Sequence, residues 1–440
     1  MDAATLRHLY GEHLERLSAD YGAALEAANF DTLVIHAGTQ RLHTSFDDQH
    51  YPLRVTPAFT HWIPLAEAHN TLVIRPGQRP RLIRVVTADY WEGHRDPDLD
   101  HAWSSFEVIE VGAPEDVAAE LPALTRAAFI GDSREVADAW RIGDDARNPP
   151  RLLRALDEVR RIKSPYERAC LAEASRRGAV GHQVLQDLFA AGGQAELALH
   201  LRYLAATQQD DSETPYKNIV AIDAHAAVLH HVFYDRTPPG PGAHSLLVDA
   251  GATCFGYASD ITRTVVHGTG SDTFAALIAG IEHIQQEMCR QLRPGIAYEA
   301  LHDGAHALLA PLLRELGIAR GTDDELLGRG ITRGFLPHGL GHSLGIQVHD
   351  VGCRVDPPRP ENRYLRTTVD VEPGMVFTIE PGCYFIEPLL EPLRAGDAAT
   401  LIDWTVVDHL KRFGGVRIED NLFVTEDGAD NLTRSAWPAA

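Results

Sequence analysis

The chain has 440 residues, 44% of them hydrophobic, and a formal net charge of −22. This length and apolar content exclude a disordered chain and leave room for two domains or one large one, while the acidity excludes a nucleic-acid or anionic-membrane partner, which would favour clustered Lys and Arg. The five cysteines, Cys170, Cys254, Cys289, Cys353 and Cys383, are scattered without a C-x-x-C pair, so neither a disulfide framework nor a zinc ribbon is indicated and a cytoplasmic location fits.

In chain order, Met1 to Asn29 carries Asp2, Glu12, Glu15 and Asp20 within a helical pattern. That is not the layout of a signal peptide, and no later segment is long enough to span a bilayer. Apolar runs at Thr32 to Ile35, Thr71 to Val86 around the turn Pro76 to Pro80, Phe106 to Val111 and Ala127 to Gly131 read as strands and predict an α/β domain over residues 1–150. Pro149-Pro150 breaks the pattern, and residues 151–165 read as a charged connecting helix that ends at Lys163-Ser164-Pro165, with Pro165 opening the next helix. From 166 to 440, long helical stretches at about 165–190, 193–208, 272–293 and 298–317 alternate with strand-like runs, so the second domain is also α/β (α+β).

The last strands carry the geometry that matters. In Gly415 to Val424, alternation places Val416, Ile418, Leu422 and Val424 on one face, and Arg417 with Glu419 on the other. Glu380 ends the apolar run Met375 to Ile379, and Pro381-Gly382 forces a turn directly after it. Asp249 ends the run Leu246 to Val248, with Asp260 on the return strand. The ten residues between them are an even number, which predicts two aspartates facing each other across a hairpin, about 5 Å apart at Cβ. Carboxylates on buried strands are costly without cations, and the nearby chain supplies no equal set of bases. Asp249, Asp260, His342, Glu380 and Glu419 therefore read as the ligands of a two-metal hydrolase, an oxygen-rich set suited to Mn²⁺, with Co²⁺, Fe²⁺ or Zn²⁺ as alternatives.

Three histidines, His338, His342 and His349, fall within twelve residues rich in glycine, which predicts a close-packed loop approaching a site. Gly341-His342-Ser343-Leu344-Gly345 also fits the serine-hydrolase pattern G-x-S-x-G, but no strand-to-helix context surrounds it. His302 and His306 have helical i,i+4 spacing and read as solvated on a polar helix face.

The succession Asp249-Ala250-Gly251, Asp260 to Thr264, His338-Gly339-Leu340-Gly341-His342, Thr378 to Gly382 and Arg417 to Asp420 resembles the pita-bread metallopeptidases that include prolidase and aminopeptidase P. Asp47 to Pro52, Tyr216 to Ala221, Tyr364 to Arg366 and Phe413 to Gly415 extend the similarity to bacterial Xaa-Pro dipeptidases, over nearly the whole chain. The resemblance implies a creatinase-like N-terminal domain and a pita-bread catalytic domain over 166–440. It implies two divalent ions on Asp249, Asp260, His342, Glu380 and Glu419, with Asp260 and Glu419 bridging, and an activated hydroxide that cleaves Xaa-Pro dipeptides. His230, His338, His349 and Glu380 would serve catalysis, Tyr216, His230, His349, Arg366 and Arg417 would contact the dipeptide, and the protein would be a homodimer. The family commonly has tyrosine where this chain has His231. Aminopeptidase P activity on longer peptides and a metal-free binding module are the alternatives.

Overall fold

The structure, a computed structural model, describes residues 2–87, 97–268 and 272–437. The chain divides into two units, Met1–Glu167 and Arg168–Ala440.

In the first unit, the helix Ala3–Ala27 starts where the Asp2 side chain accepts from the amides of Ala4 and Thr5, which satisfies donors that the first turn leaves open. Its buried face carries Tyr10, Leu14, Leu17, Tyr21 and Leu25. The sheet that follows is built from β1 (Thr32–His36), β2 (Thr71–Ile74), β3 (Arg81–Val85), β4 (Glu107–Val111) and β5 (Ala127–Ile130), in the order β4-β3-β2-β1-β5. The central β1 and β2 are buried along their whole length, as their unbroken apolar runs require. The helix Pro150–Arg161 opens on proline and buries Leu152, Leu156 and Arg160.

The second unit holds β6 (Ile219–Ile222), β7 (His244–Asp249), the short pair β8 (Thr253–Cys254) and β9 (Tyr257–Ala258), β10 (Thr262–His267), β11 (Val376–Ile379), β12 (Gly382–Tyr384), β13 (Gly415–Arg417), β14 (Asp420–Val424) and β15 (Ala429–Asn431). They pair as β10-β7-β6, β11-β14-β15, β12-β13 and β8-β9. Its long helices include Asp272–Gln291, Tyr298–Glu315 and Glu196–Thr207.

Three expectations need correction. The β7/β10 register pairs Asp249 with Thr262, so Asp260 precedes the strand instead of facing Asp249. Asp249 and its partner Thr262 enclose twelve residues instead of ten, and a slip of two preserves the side of the sheet, so both aspartates still point the same way. The predicted continuous strand Gly415 to Val424 is broken at Ile418-Glu419: β13 pairs with β12, whereas β14 pairs with β11. His302 and His306 are not solvated but are 3% and 1% exposed, on a helix whose buried stripe includes Tyr298, Leu301, Ala305 and Leu309.

Candidate metal centre

The site forms where β7, β11 and β13 end and β10 begins. Asp249 is the last residue of β7, and Asp260 is fixed just before β10, where its amide donates to Asn421 Oδ1 at 3.0 Å and its carbonyl accepts from Asn421 Nδ2. The glycine-rich loop runs as an extended segment against β11. Thr378 N donates to His342 O at 2.9 Å, Glu380 N to Leu340 O at 2.7 Å and Leu344 N to Val376 O at 3.1 Å. Gly341 permits this approach, since a Cβ there would lie 2.1 Å from the Thr378 carbonyl oxygen. Glu419 sits at the strand break, where it bridges to Thr262.

The five expected ligands therefore come from distant parts of the second unit. His342 Nε2 lies 3.4 Å from Asp260 Oδ2 and 3.8 Å from Glu380 Oε1. Asp260, His342 and Glu419 offer ligand atoms within 4.8 Å of one another. Tyr216 Oη stands 2.8 Å from Asp249 Oδ1 and 2.5 Å from Asp260 Oδ1, a single hydroxyl proton between two carboxylates. Asp249 Oδ2 accepts from Arg417 Nη2 at 2.5 Å, and Glu419 Oε2 accepts from the Thr262 hydroxyl at 2.6 Å. Glu419 Oε1 is buried without a hydrogen-bond partner among the described residues.

The electrostatics report the same crowding. Burial pushes Asp249 above the usual carboxylate range, and repulsion from Asp260 adds to the effect despite Arg417. Glu380 is pushed up to about 7, chiefly by burial. Burial together with Asp260 and Glu380 drives Glu419 well up. Burial acts to raise Asp260 too, but the hydrogen bond and charge of His342 outweigh it and hold that carboxyl low. Without further positive charge, four carboxylates packed this way resist ionising together.

This donor set fits divalent cations. The His342 Nδ1–H donates to the Ser343 carbonyl at 3.1 Å, and its Nε2, which here meets Asp260 and Glu380, would turn its lone pair to a cation bound among them. A ring that donates its other nitrogen to a backbone carbonyl is held as a metal ligand is held. The orphaned Glu419 Oε1 is a buried acceptor that a cation would satisfy.

The remaining expected residues surround this core. His338 Nδ1–H donates to Gly339 O at 2.8 Å, so its Nε2 accepts from the Tyr384 hydroxyl at 2.8 Å, and the Tyr384 oxygen accepts from Arg417 Nη1 at 2.9 Å. Burial and the Arg417 charge lower His338 to about 3, so it is a neutral imidazole at neutral pH. His349 packs edge-on against His342 at 4.4 Å between ring centres, and burial with the His342 charge lowers it to about 4. Arg366 and His230 both lie within the field of His349, and both are exposed. Arg417, expected to face the dipeptide, is 4% exposed and turns three donors to Asp249, Tyr384 and Thr262. Ser343 donates its hydroxyl to the Asp350 carbonyl at 2.7 Å and no helix follows it, so it is not a nucleophile elbow.

Sequence reading did not single out Tyr384 or Thr262.

These features place the chain in a known class: it belongs to metallopeptidase family M24, which matches residues 169–426. Residues 8–157 match the N-terminal domain of Xaa-Pro dipeptidase. The Xaa-Pro dipeptidase of Xanthomonas axonopodis pv. citri is 39% identical over 100% of both chains, and that of Stenotrophomonas maltophilia is 40% identical over 98% of each. The solved structure of proline aminopeptidase P II from Yersinia pestis superposes with a TM-score of 0.75 over 97% of this chain and 96% of that one, at 24% identity. The mixed α/β chain thus joins an N-terminal domain to a catalytic domain of pita-bread fold.

Proposed function

We propose that the protein is a metal-dependent Xaa-Pro dipeptidase that releases free proline, with Asp249, Asp260, His342, Glu380 and Glu419 holding two Mn²⁺ ions. The supporting relatives are Xaa-Pro dipeptidases at about 40% identity over the whole chain. The observation that carries the metal reading is the orphaned Glu419 Oε1 among converging carboxylates. Divalent ions bound there supply a water of lowered pKa and polarise the scissile carbonyl.

The chain's own groups do the rest. Glu380, at the rim with 17% of its side chain exposed, takes the proton of the attacking water and delivers it to the proline nitrogen, which leaves poorly from a tertiary amide unless protonated. His338 lies 3.8 Å from Glu380 Oε2 and is locked in one tautomer by Gly339 and Tyr384, so it stands beside Glu380 as a neutral ring. Tyr216 and Arg417 hold Asp249 and Asp260 in place. Arg366 is exposed and makes no ion pair among the described residues, so its planar guanidinium is free for the dipeptide carboxylate. His349 and His230 line the same end.

Residues 1–150 form the creatinase-like domain, 151–165 the connecting helix and 166–440 the catalytic domain in this reading. The protein is a homodimer of the cytoplasm; the location draws support from five free cysteines. No helix of the described residues is long and apolar enough to cross a membrane.

The test is hydrolysis of Gly-Pro, Leu-Pro and an Xaa-Pro-Xaa tripeptide by chelated protein resupplied with Mn²⁺, Co²⁺ or Zn²⁺. Dipeptides cleaved faster than the tripeptide, best with Mn²⁺, are expected. A faster tripeptide would assign aminopeptidase P activity instead, and no hydrolysis with any metal would leave a binding module.

A further inference from the structure

A second carboxylate in the catalytic unit is buried without a resident cation. Glu196, the first residue of the helix Glu196–Thr207, is 0% exposed. Its Oε1 accepts from Ile222 N at 2.8 Å and His225 Nδ1 at 2.7 Å, and its Oε2 accepts from Asp235 N at 2.8 Å and His231 Nε2 at 2.9 Å. No Lys or Arg pairs with it among the described residues. The two imidazoles stack with ring centres 4.4 Å apart and planes 23° from parallel. His231 is buried, whereas 40% of the His225 side chain reaches solvent and gives the cluster an entry.

The two backbone amides take one lone pair on each Glu196 oxygen and fix the carboxylate, as supporting hydrogen bonds fix metal ligands. The remaining lone pairs point at the two ring nitrogens, and the three ligand atoms lie within 4.8 Å of one another. Tetrahedral bonds of about 2.0–2.1 Å set ligand atoms roughly 3.3 Å apart, so the rings would need to withdraw by about half an ångström, and the exposed His225 has room to do so. Two nitrogens and one oxygen form a softer set than the carboxylate centre. We propose that Glu196, His225 and His231 form a separate binding site for a borderline divalent cation, Zn²⁺ above all, with its fourth position open to solvent past His225.

The protons balance. Each ring now donates a hydrogen to Glu196. On binding, that hydrogen moves to the other ring nitrogen, from His225 Nδ1 to Nε2 and from His231 Nε2 to Nδ1, and the freed lone pairs coordinate. The bound cation ties the segment that carries His230 to the helix Glu196–Thr207, because His230 and His231 are adjacent.

The test uses Mn²⁺-loaded protein equilibrated with micromolar Zn²⁺, freed of unbound metal, and analysed for total metal per chain. Wild type is expected to retain about one ion more than His225→Gln/His231→Tyr, in which both new side chains can still donate to Glu196. That difference reads this site alone, whatever the carboxylate centre holds. Equal totals in the two proteins would overturn the proposal. Should the double variant fail to fold, zinc-edge anomalous diffraction from wild-type crystals decides: a peak between Glu196, His225 and His231 supports the site, and its absence overturns it.

Discussion

Glu419 and Asp420 are adjacent in the chain and almost equally buried, at 1% and 0% exposure, yet their surroundings are opposite. Asp420 accepts from Arg263 Nη2 at 2.7 Å, Arg434 Nε at 2.6 Å, Asn431 Nδ2 at 2.8 Å and Gln285 Nε2 at 3.0 Å. Burial works to raise it, but the two guanidiniums outweigh that and keep it below its ordinary value. Glu419, at the strand break, has one hydroxyl donor, an orphaned oxygen and a strongly raised pKa. The pair teaches that this fold neutralises a buried carboxylate where the role is structural, and leaves one short of positive charge where a cation is to bind.

The contrast can be broken most sharply at Glu380. Glu380→Gln should lower turnover of Xaa-Pro dipeptides about 10³-fold with an unchanged circular dichroism spectrum, and wild-type turnover with metal bound would remove its role. On the structural side, Arg263→Ala strips Asp420 of a cation and should cost about 3 kcal/mol in denaturant unfolding while the metal count per chain stays the same. A loss of metal without a loss of stability would erase the distinction. Arg366→Ala should raise the Michaelis constant for dipeptides about 50-fold with a smaller change in turnover.

Chelated protein should show the crowding as pH dependence. Glu380 has a folded pKa of about 7 against an ordinary 4.5, so its contribution to stability is complete below 4.5 and is lost as pH rises through 7. Asp249 and Glu419 shift in the same direction. The melting temperature without metal should fall by about 5 °C between pH 5 and pH 8, and Mn²⁺ should restore most of it at pH 8. A flat profile would mean the carboxylates are already neutralised. Ser343→Ala should change turnover less than about threefold, since its hydroxyl is bound to Asp350 O; abolished activity with an intact fold would revive the nucleophile reading.

The proposed ligands stood out in the sequence through their local context: Asp249 before Gly251, Glu380 before Pro381-Gly382, and His342 among glycines that only close packing explains. Side-chain alternation survived the register error at β7 and β10, because a slip of two residues leaves parity intact. The buried His302 and His306 were not legible. An imidazole is polar in a sequence pattern but apolar enough over its ring to join a core stripe, and burial lowers both well below their usual values. Nor was the Glu196 cluster, whose members are joined only by the fold across 35 residues from Glu196 to His231.

The central claim is tested most directly by anomalous diffraction from crystals grown with Mn²⁺ at neutral pH. Two manganese peaks enclosed by Asp249, Asp260, His342, Glu380 and Glu419 are the predicted result. Well-ordered density for these five side chains with no anomalous signal among them, under conditions where the protein hydrolyses dipeptides, would contradict it.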